Sequence, residues 1–318
     1  MALSILGLGA ASSFADIKIN DNLTTAGFLD MSVNGYTPDS GKSALNASFD
    51  QFELDFMYKF GNISARADVN ATPSFSSPGA PMKDSTYGAT SSAVYLEQGF
   101  VNYAMGAAGI TVGRFLSSSG FEAAEPTGMF QNSYSKTLVY GYYQNGLALN
   151  YAASKFALYG AVVSDLWNPQ EFDLKTPGFE GQVSLMPVEG VTAKVAYLYQ
   201  VSDEAVVGYD GMSLINAWAQ YAKDKITVAA EFNYMMNWKA KDETGTGWLA
   251  MANYKFTDKI ATTVRYSGIK MKSAKDPDTE VTLSPSYAVG PNWLVLAEVK
   301  QEIEKKQTDY AVESTFSY

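Results

Sequence analysis

Seven turns of two to four residues alternate with eight longer polar stretches along this chain, and the segments between them repeat their apolar residues at intervals of two. The short turns fall at Gly61-Asn62, Met105–Ala108, Ala153–Lys155, Val188–Gly190, Ala222–Lys225, Thr257–Lys259 and Val289–Asn292. The long stretches cover 37–47, 73–92, 117–144, 167–177, 201–212, 237–246, 269–278 and 303–308. A period of two is the side-chain period of a β-strand. Fifteen connections join sixteen strands. Their strict alternation places every short turn at one end of the sheet, together with both chain ends.

Phe52, Leu54, Phe56, Tyr58 and Phe60 alternate with Gln51, Glu53, Asp55, Met57 and Lys59. One such strand fits equally a soluble sandwich with its polar face outside and a barrel with its polar face inside. The connection lengths separate the two, because tight turns at one end and long loops at the other are the habit of outer-membrane barrels. No run of 18 apolar residues occurs, so no helix is predicted to span a bilayer. With 21 tyrosines, 17 phenylalanines and only 18% charged residues, the composition suits a lipid-facing wall with aromatic girdles. The expected fold is all-β: a transmembrane antiparallel up-and-down β-barrel of about sixteen strands. Sixteen strands enclose a lumen too wide for wall side chains to fill.

One local signal opposes this count. Asn145-Gly146 suits a two-residue type I′ hairpin. Accepting it gives seventeen strands and moves every later long loop to the wrong end, so 137–144 is assigned to the third long stretch.

Cysteine and histidine are both absent, which removes disulfides, zinc-thiolate sites and histidine-based catalysis. No cofactor is implied. The net charge of −10 makes the chain a poor nucleic-acid binder and an attractor of cations. Residues 1–15 read as the remnant of a secretory signal. Their apolar stretch 2–11 has h-region length, and Ser13 and Ala15 are the small residues before a cut at Asp16. The expected domain organisation is that remnant followed by a single barrel domain over 16–318.

The last strand places Tyr310, Val312, Ser314, Phe316 and Tyr318 on one face, with Ala311, Glu313, Thr315 and Ser317 on the other. This ending resembles the terminal-strand signal of bacterial outer-membrane β-barrels, with Tyr310, Phe316 and Tyr318 as its aromatic elements. Further pieces are Gly27-Phe-Leu-Asp30, Gln51-Phe-Glu-Leu54, Ile63-Ser-Ala-Arg-Ala-Asp68, Leu96-Glu-Gln98, Ile110-Thr-Val-Gly-Arg-Phe115, Gly120-Phe-Glu122, Glu125-Pro126 and Asn132-Ser-Tyr-Ser135. In this order they resemble the OmpL-like putative β-barrel porin family. The segment after Tyr140 departs from it by lacking an aromatic-proline stretch. The resemblance implies a Gram-negative outer-membrane porin and says little about the solute; the wide lumen makes passive diffusion of small hydrophilic solutes and ions the leading expectation. Outer-membrane lipids and the barrel-assembly machinery are the implied partners, with a homotrimer as an open assembly. The competing reading is a structural or partner-binding barrel, such as an adhesin, an envelope anchor or the sheath of a complex.

In general porins, which this topology resembles, the loop corresponding to 117–144 folds into the barrel. Here it carries Glu122 and Glu125, with Phe121, Met129, Phe130 and Tyr134 as packing anchors. The chain has three arginines. Arg66 and Arg265 take the inward register, while Arg114 breaks the alternation after Ile110 and Val112, predicting a bulge or loop entry there. Two arrangements stay open: Arg66 and Arg114 facing Glu122 and Glu125 across an eyelet, or each arginine pairing with wall neighbours such as Asp68 or Glu53. Glu53 and Asp55 share one face, but a lumen wall needs acids without any glycosidase chemistry. The acids on the inward register are Glu53, Asp55, Asp68, Glu180, Glu231, Glu280 and Glu298, against Lys59, Arg66, Lys194, Lys255, Arg265 and Lys300. Near balance on the wall leaves a mild cation preference to the acidic loops. Asp276, Asp278 and Glu280, and Asp203, Glu204 and Asp210, are weaker candidates for external divalent cations. Trp218 is predicted to face inward, with Tyr197 and Tyr234 toward lipid.

Overall fold

A computed structural model describes residues 17–72, 93–122, 125–136, 143–167, 174–209 and 211–318. The export-type segment 1–15, the second long stretch 73–92 and Asp210 lie outside the described residues. Among the described residues the first element is a two-residue strand, β1 (Ile17–Lys18), and sixteen longer strands follow. The first half comprises β2 (Leu23–Thr37), β3 (Ala44–Phe60), β4 (Ile63–Thr72), β5 (Ala93–Met105), β6 (Ala108–Leu116), β7 (Tyr143–Ala152), β8 (Phe156–Val163) and β9 (Gly178–Leu185). The second comprises β10 (Val191–Val201), β11 (Gly211–Lys223), β12 (Ile226–Met236), β13 (Thr244–Lys255), β14 (Ile260–Met271), β15 (Asp278–Gly290), β16 (Trp293–Glu302) and β17 (Gln307–Ser317).

Each strand pairs antiparallel with its successor, and β17 returns to β2 from Thr308↔Thr37 to Ser317↔Phe28. The sheet is therefore closed and its backbone groups are satisfied within the wall. All seven predicted short turns join the strands expected of them. Asn145 and Gly146 lie inside β7, opposite Arg114 and Gly113, so they form no hairpin. The seventeenth strand, β1, is not foreshadowed in the sequence. It pairs with β2 at Ile17↔Thr25 and Lys18↔Thr24, continuing the seam just below the point where Tyr318 meets Gly27.

The outer face is apolar. Exposed Tyr58, Tyr103, Tyr151, Tyr221, Tyr254 and Trp293 form a girdle beside the short turns. Phe179, Tyr197, Tyr234, Tyr266 and Tyr310 form a second band toward the long loops. These are the two interfacial belts of a membrane wall. Tyr310, Val312 and Phe316 are outward and exposed, while Ala311, Glu313, Thr315 and Ser317 are buried inward, as the alternation of the last strand requires.

The inner face is polar except at two patches among the described residues, the smaller formed by Ala229, Leu249 and Met251 and the larger near the long loops. Phe115, Val163, Leu198, Leu214 and Met235 are buried together there with Leu166. Trp167 and Trp238 pack against this patch edge to face, their ring centroids 5.3 Å apart. Among the external loops, the helix α1 (Glu204–Val207) is capped by Asp203, whose carboxylate accepts from Ala205 N–H at 3.0 Å.

Departures from regular geometry on β5 and β6 reshape the inner wall beside the β6–β7 connection. The β4–β5 ladder shifts between Asp68↔Gln98 and Val69↔Leu96, so Glu97 is the extra residue of a bulge. Glu97 and Gln98 are consequently both buried inside. Neither of the two devices expected at Arg114, a bulge or a loop entry, stands there: the β5–β6 register is continuous through Phe100↔Gly113 and Gly99↔Arg114, and β6 runs on to Leu116. Gly113 turns the strand instead. Its φ of +134° is a glycine conformation, and a Cβ there would lie 2.3 Å from the Gly99 carbonyl oxygen.

Candidate pore constriction

The connection between β6 and β7, described over 117–122 and 125–136, lies inside the barrel and is held by the wall. Side chains of inward-facing wall residues accept from its backbone and hydroxyls in sequence order. Ser117 Oγ donates to Glu180 Oε2 (2.8 Å) on β9, and Gly120 N–H to Asn216 Oδ1 (3.1 Å) on β11. Phe121 N–H donates to Glu231 Oε1 (3.0 Å) on β12. Asn132 and Ser133 N–H reach Glu298 on β16 at 2.8 and 3.1 Å. Hydrogen bonds to charged acceptors contribute about 1.5–3 kcal/mol each. Apolar anchoring adds to them: Phe121 and Phe130 pack on Ala229, Leu249 and Met251, and Phe121 meets the Trp218 ring edge to face at 5.6 Å. Trp218 is buried inside as its register requires, while Tyr197 and Tyr234 are exposed outside. Lys194 bridges loop and wall, with Nζ 3.0 Å from Ser118 O and 5.1 Å from the centre of the Trp218 ring.

Arg265 on β14 is the hub of the loop's far side. Its guanidinium contacts Glu122 Oε1 (3.2 Å), Ser133 O (2.8 Å) and Glu280 Oε1 (3.1 Å), and the residue is fully buried. Glu122 also accepts from Ser135 N–H at 2.8 Å, which turns the loop back on itself. Lys136 then reaches Asp278 (3.1 Å), Glu302 (3.5 Å) and Glu280 (3.9 Å). Asp278 and Glu280 therefore belong to β15 and its ion pairs; the sequence offers them, with Asp276, only as weak candidates for external divalent cations beside the commoner reading of solvated loop charges.

The opposite wall is acidic. Glu53 and Asp55 on β3, Asp68 on β4, the bulge residue Glu97 on β5 and the loop residue Glu125 converge. Carboxylate oxygens of Glu53, Glu97 and Glu125 lie within 4.8 Å of one another, as do those of Glu53, Asp55 and Asp68. Arg66 binds Asp68 (2.7 Å) and Asp55 (3.2 Å), and Gln98 donates to Asp68 at 2.6 Å. Tyr143 OH donates to Glu125 at 2.7 Å.

Of the two open arrangements, the structure shows wall pairing for Arg66. Glu122 meets Arg265, not Arg66 or Arg114, because the loop crosses to β14 before Glu125 turns back toward β3–β7. Arg114 donates from Nε to the Glu97 carbonyl (2.8 Å) and lies 5.8 Å from the centre of the Tyr143 ring. Glu97 is a residue of the candidate site that sequence reasoning missed, as are Asn216 and Tyr143. Its signal was present only as an unremarkable Leu96-Glu-Gln98, since a bulge leaves no trace in the alternation until the partner strand is known.

A closed sixteen-strand barrel with a polar lumen, two aromatic belts and an inward loop defines the class of outer-membrane porins. The sequence matches the family described as Putative beta-barrel porin-2, OmpL-like, over residues 13–315, and the chain belongs to that family. It is an integral outer-membrane β-barrel. Among solved structures it is similar to Salmonella typhi OmpF in complex with daunomycin, with a TM-score of 0.70 and 13% identity. That match covers 96% of this chain and 100% of the other. It is also similar to an anion-selective porin from Comamonas acidovorans (TM-score 0.65, 11% identity, 93% of this chain and 99% of that one). A third is the trimer form of OmpT from Vibrio cholerae (TM-score 0.61, 10% identity, 94% and 100%). No curated protein matches by sequence.

Proposed function

We propose that this barrel is a passive porin for small hydrophilic solutes with a mild preference for cations, and that no reaction occurs in it. The observation that carries the reading is the loop held inside the lumen against the acidic patch of Glu53, Asp55, Asp68, Glu97 and Glu125. A wall of low dielectric constant strengthens the field of charges placed there. Glu180, Glu231 and Glu298 are engaged in fastening the loop, so the patch on β3–β5 and the loop acids set the sign. The fold itself does not, since a porin of similar fold is anion-selective.

Residues 1–15 serve export in this reading, 16–318 form the single barrel domain, and Tyr310, Phe316 and Tyr318 present the terminal strand to the assembly machinery. Three copies are the assembly we favour, on the likeness to a trimeric barrel. Reversal potentials in planar bilayers under a salt gradient test the channel and its sign together. A conducting, cation-preferring pore is expected. A barrel without conductance would instead fit an envelope anchor or the sheath of a complex, and anion preference at low salt would sink the selectivity reading.

A further inference from the structure

Three carboxylates whose oxygens all lie within 4.8 Å of one another cannot remain ionised together without a counter-charge. Glu53, Glu97 and Glu125 form such a triplet, and Asp55 and Asp68 extend it through Glu53. Arg66 is turned to the Asp68 and Asp55 end. At the triplet itself, neutral donors among the described residues face the carboxylates: Gln51 to Glu53 (2.8 Å), Asn70 to Glu97 (3.1 Å) and Tyr143 to Glu125 (2.7 Å).

Asn70 provides a second, independent observation. It stands opposite Glu53 in the β3–β4 ladder and is 2% exposed. Its amide is turned into the triplet, with Nδ2 on Glu97 Oε2, yet its carbonyl oxygen Oδ1 is buried and meets no donor among the described residues. Asp55 Oδ1 is buried and equally without a donor among them. A buried amide carbonyl without a donor costs about 1–3 kcal/mol unless something electropositive faces it.

We propose that this face of the lumen binds one divalent cation of calcium type, liganded by the carboxylates of Glu53, Glu97 and Glu125 and the amide carbonyl of Asn70. The donor set is all oxygen, with several charges and one neutral carbonyl, which is the chemistry hard cations take. Opposed oxygens around calcium stand about 5 Å apart, given bonds of about 2.3–2.6 Å, which the triplet's spacing accommodates. Glu125 is the one ligand from the inward loop, so the ion joins that loop to β3, β4 and β5.

The test is calorimetric titration of calcium chloride into the full chain, refolded in detergent and stripped with a chelator. Binding is read directly, so it stands or falls separately from whether the pore conducts. One saturable site per chain is expected. Glu97→Gln should weaken it about tenfold or more, and Asn70→Ala should weaken it as well, with heat-shifted gel mobility reporting an intact barrel in each case. Asp276→Asn, in an external loop, should change nothing. Absence of saturable binding, or binding that survives Glu97→Gln and is lost in Asp276→Asn, would overturn the site and leave shared protons as the counter-charge of the triplet.

Discussion

Tyr318 lies across Gly27: the two exchange both backbone hydrogen bonds at 3.0 Å, and the phenol passes over the glycine to donate to the Glu53 carbonyl at 3.1 Å. Its ring stacks on Phe52 with centroids 6.3 Å apart. The last residue of the chain thus bridges β2 and reaches β3. A Cβ on Gly27 would fall 2.2 Å from the Glu53 carbonyl oxygen and 2.8 Å from the Tyr318 hydroxyl. Gly27→Val should therefore destabilise the barrel by about 1–3 kcal/mol through overpacking. The check is the temperature at which the folded band is lost in detergent gels, which should drop.

Removal of Phe316–Tyr318 takes away the Tyr318 bridge and the outward Phe316. We expect the truncated chain to be exported and to accumulate without inserting into the outer membrane, measured by membrane fractionation. Normal insertion would show that these aromatic residues are not an assembly signal.

Arg265 is buried between Glu122 and Glu280, so Arg265→Met should leave Glu122 buried without its cation, while Glu280 keeps Lys136 and Lys300 at 3.9 and 3.8 Å. Loss of one partner of a buried pair costs about 3–5 kcal/mol. Arg265→Met combined with Glu122→Gln should recover part of that loss, which a double-mutant cycle in denaturant measures. Additive effects would contradict the direct contact.

Deletion of 120–134 removes the chord of chain inside the lumen along with its seats on Glu231 and Glu298. Single-channel conductance should rise, because the narrowest section dominates a series resistance. Asp55→Asn, in the same patch but outside the proposed ligand set, should lower cation preference at low salt and have less effect at higher salt, where screening acts over about 8 Å. Unchanged conductance in the deletion, with the barrel folded, would retire the constriction.

Outside the membrane, Glu243 accepts from Ser273 N–H (3.0 Å) and Oγ (2.7 Å), tying two external loops. Those bonds hold its carboxyl below the usual range, the backbone bond first. A depressed folded pKa means that the tie contributes above the unfolded value and is lost as pH falls through the folded one. Hydrogen exchange at the Ser273 amide should lose protection on acidification, and Glu243→Gln should remove that pH dependence.

The wall was legible in the sequence because it is local: alternation and connection length fix which residue faces which side. Arg265, Trp218 and Tyr197 all fall where their register puts them. What each inward residue meets was not legible. Glu122 and Arg265 are joined across 143 positions, and Asn132 and Glu298 across 166, by a loop whose path no periodicity encodes. Arg66 illustrates the limit: its side was readable, yet its choice of Asp68 over Glu122 depended on where the loop crossed. Glu97 and Gly113 show the other one. A bulge and a positive φ break the pattern only after pairing is known, and at Arg114 the broken pattern suggested the wrong device.

A cylinder of sixteen strands is softest toward flattening, since turning a round section into an ellipse bends the sheet without breaking a ladder. Here the inward loop is fastened at Glu180, Asn216, Glu231, Arg265 and Glu298, around half the circumference. It works as a spoke inside a rim. Squeezing the barrel from the side would have to stretch charge-assisted bonds, so the open area should hold nearly constant as lateral pressure in the surrounding bilayer changes.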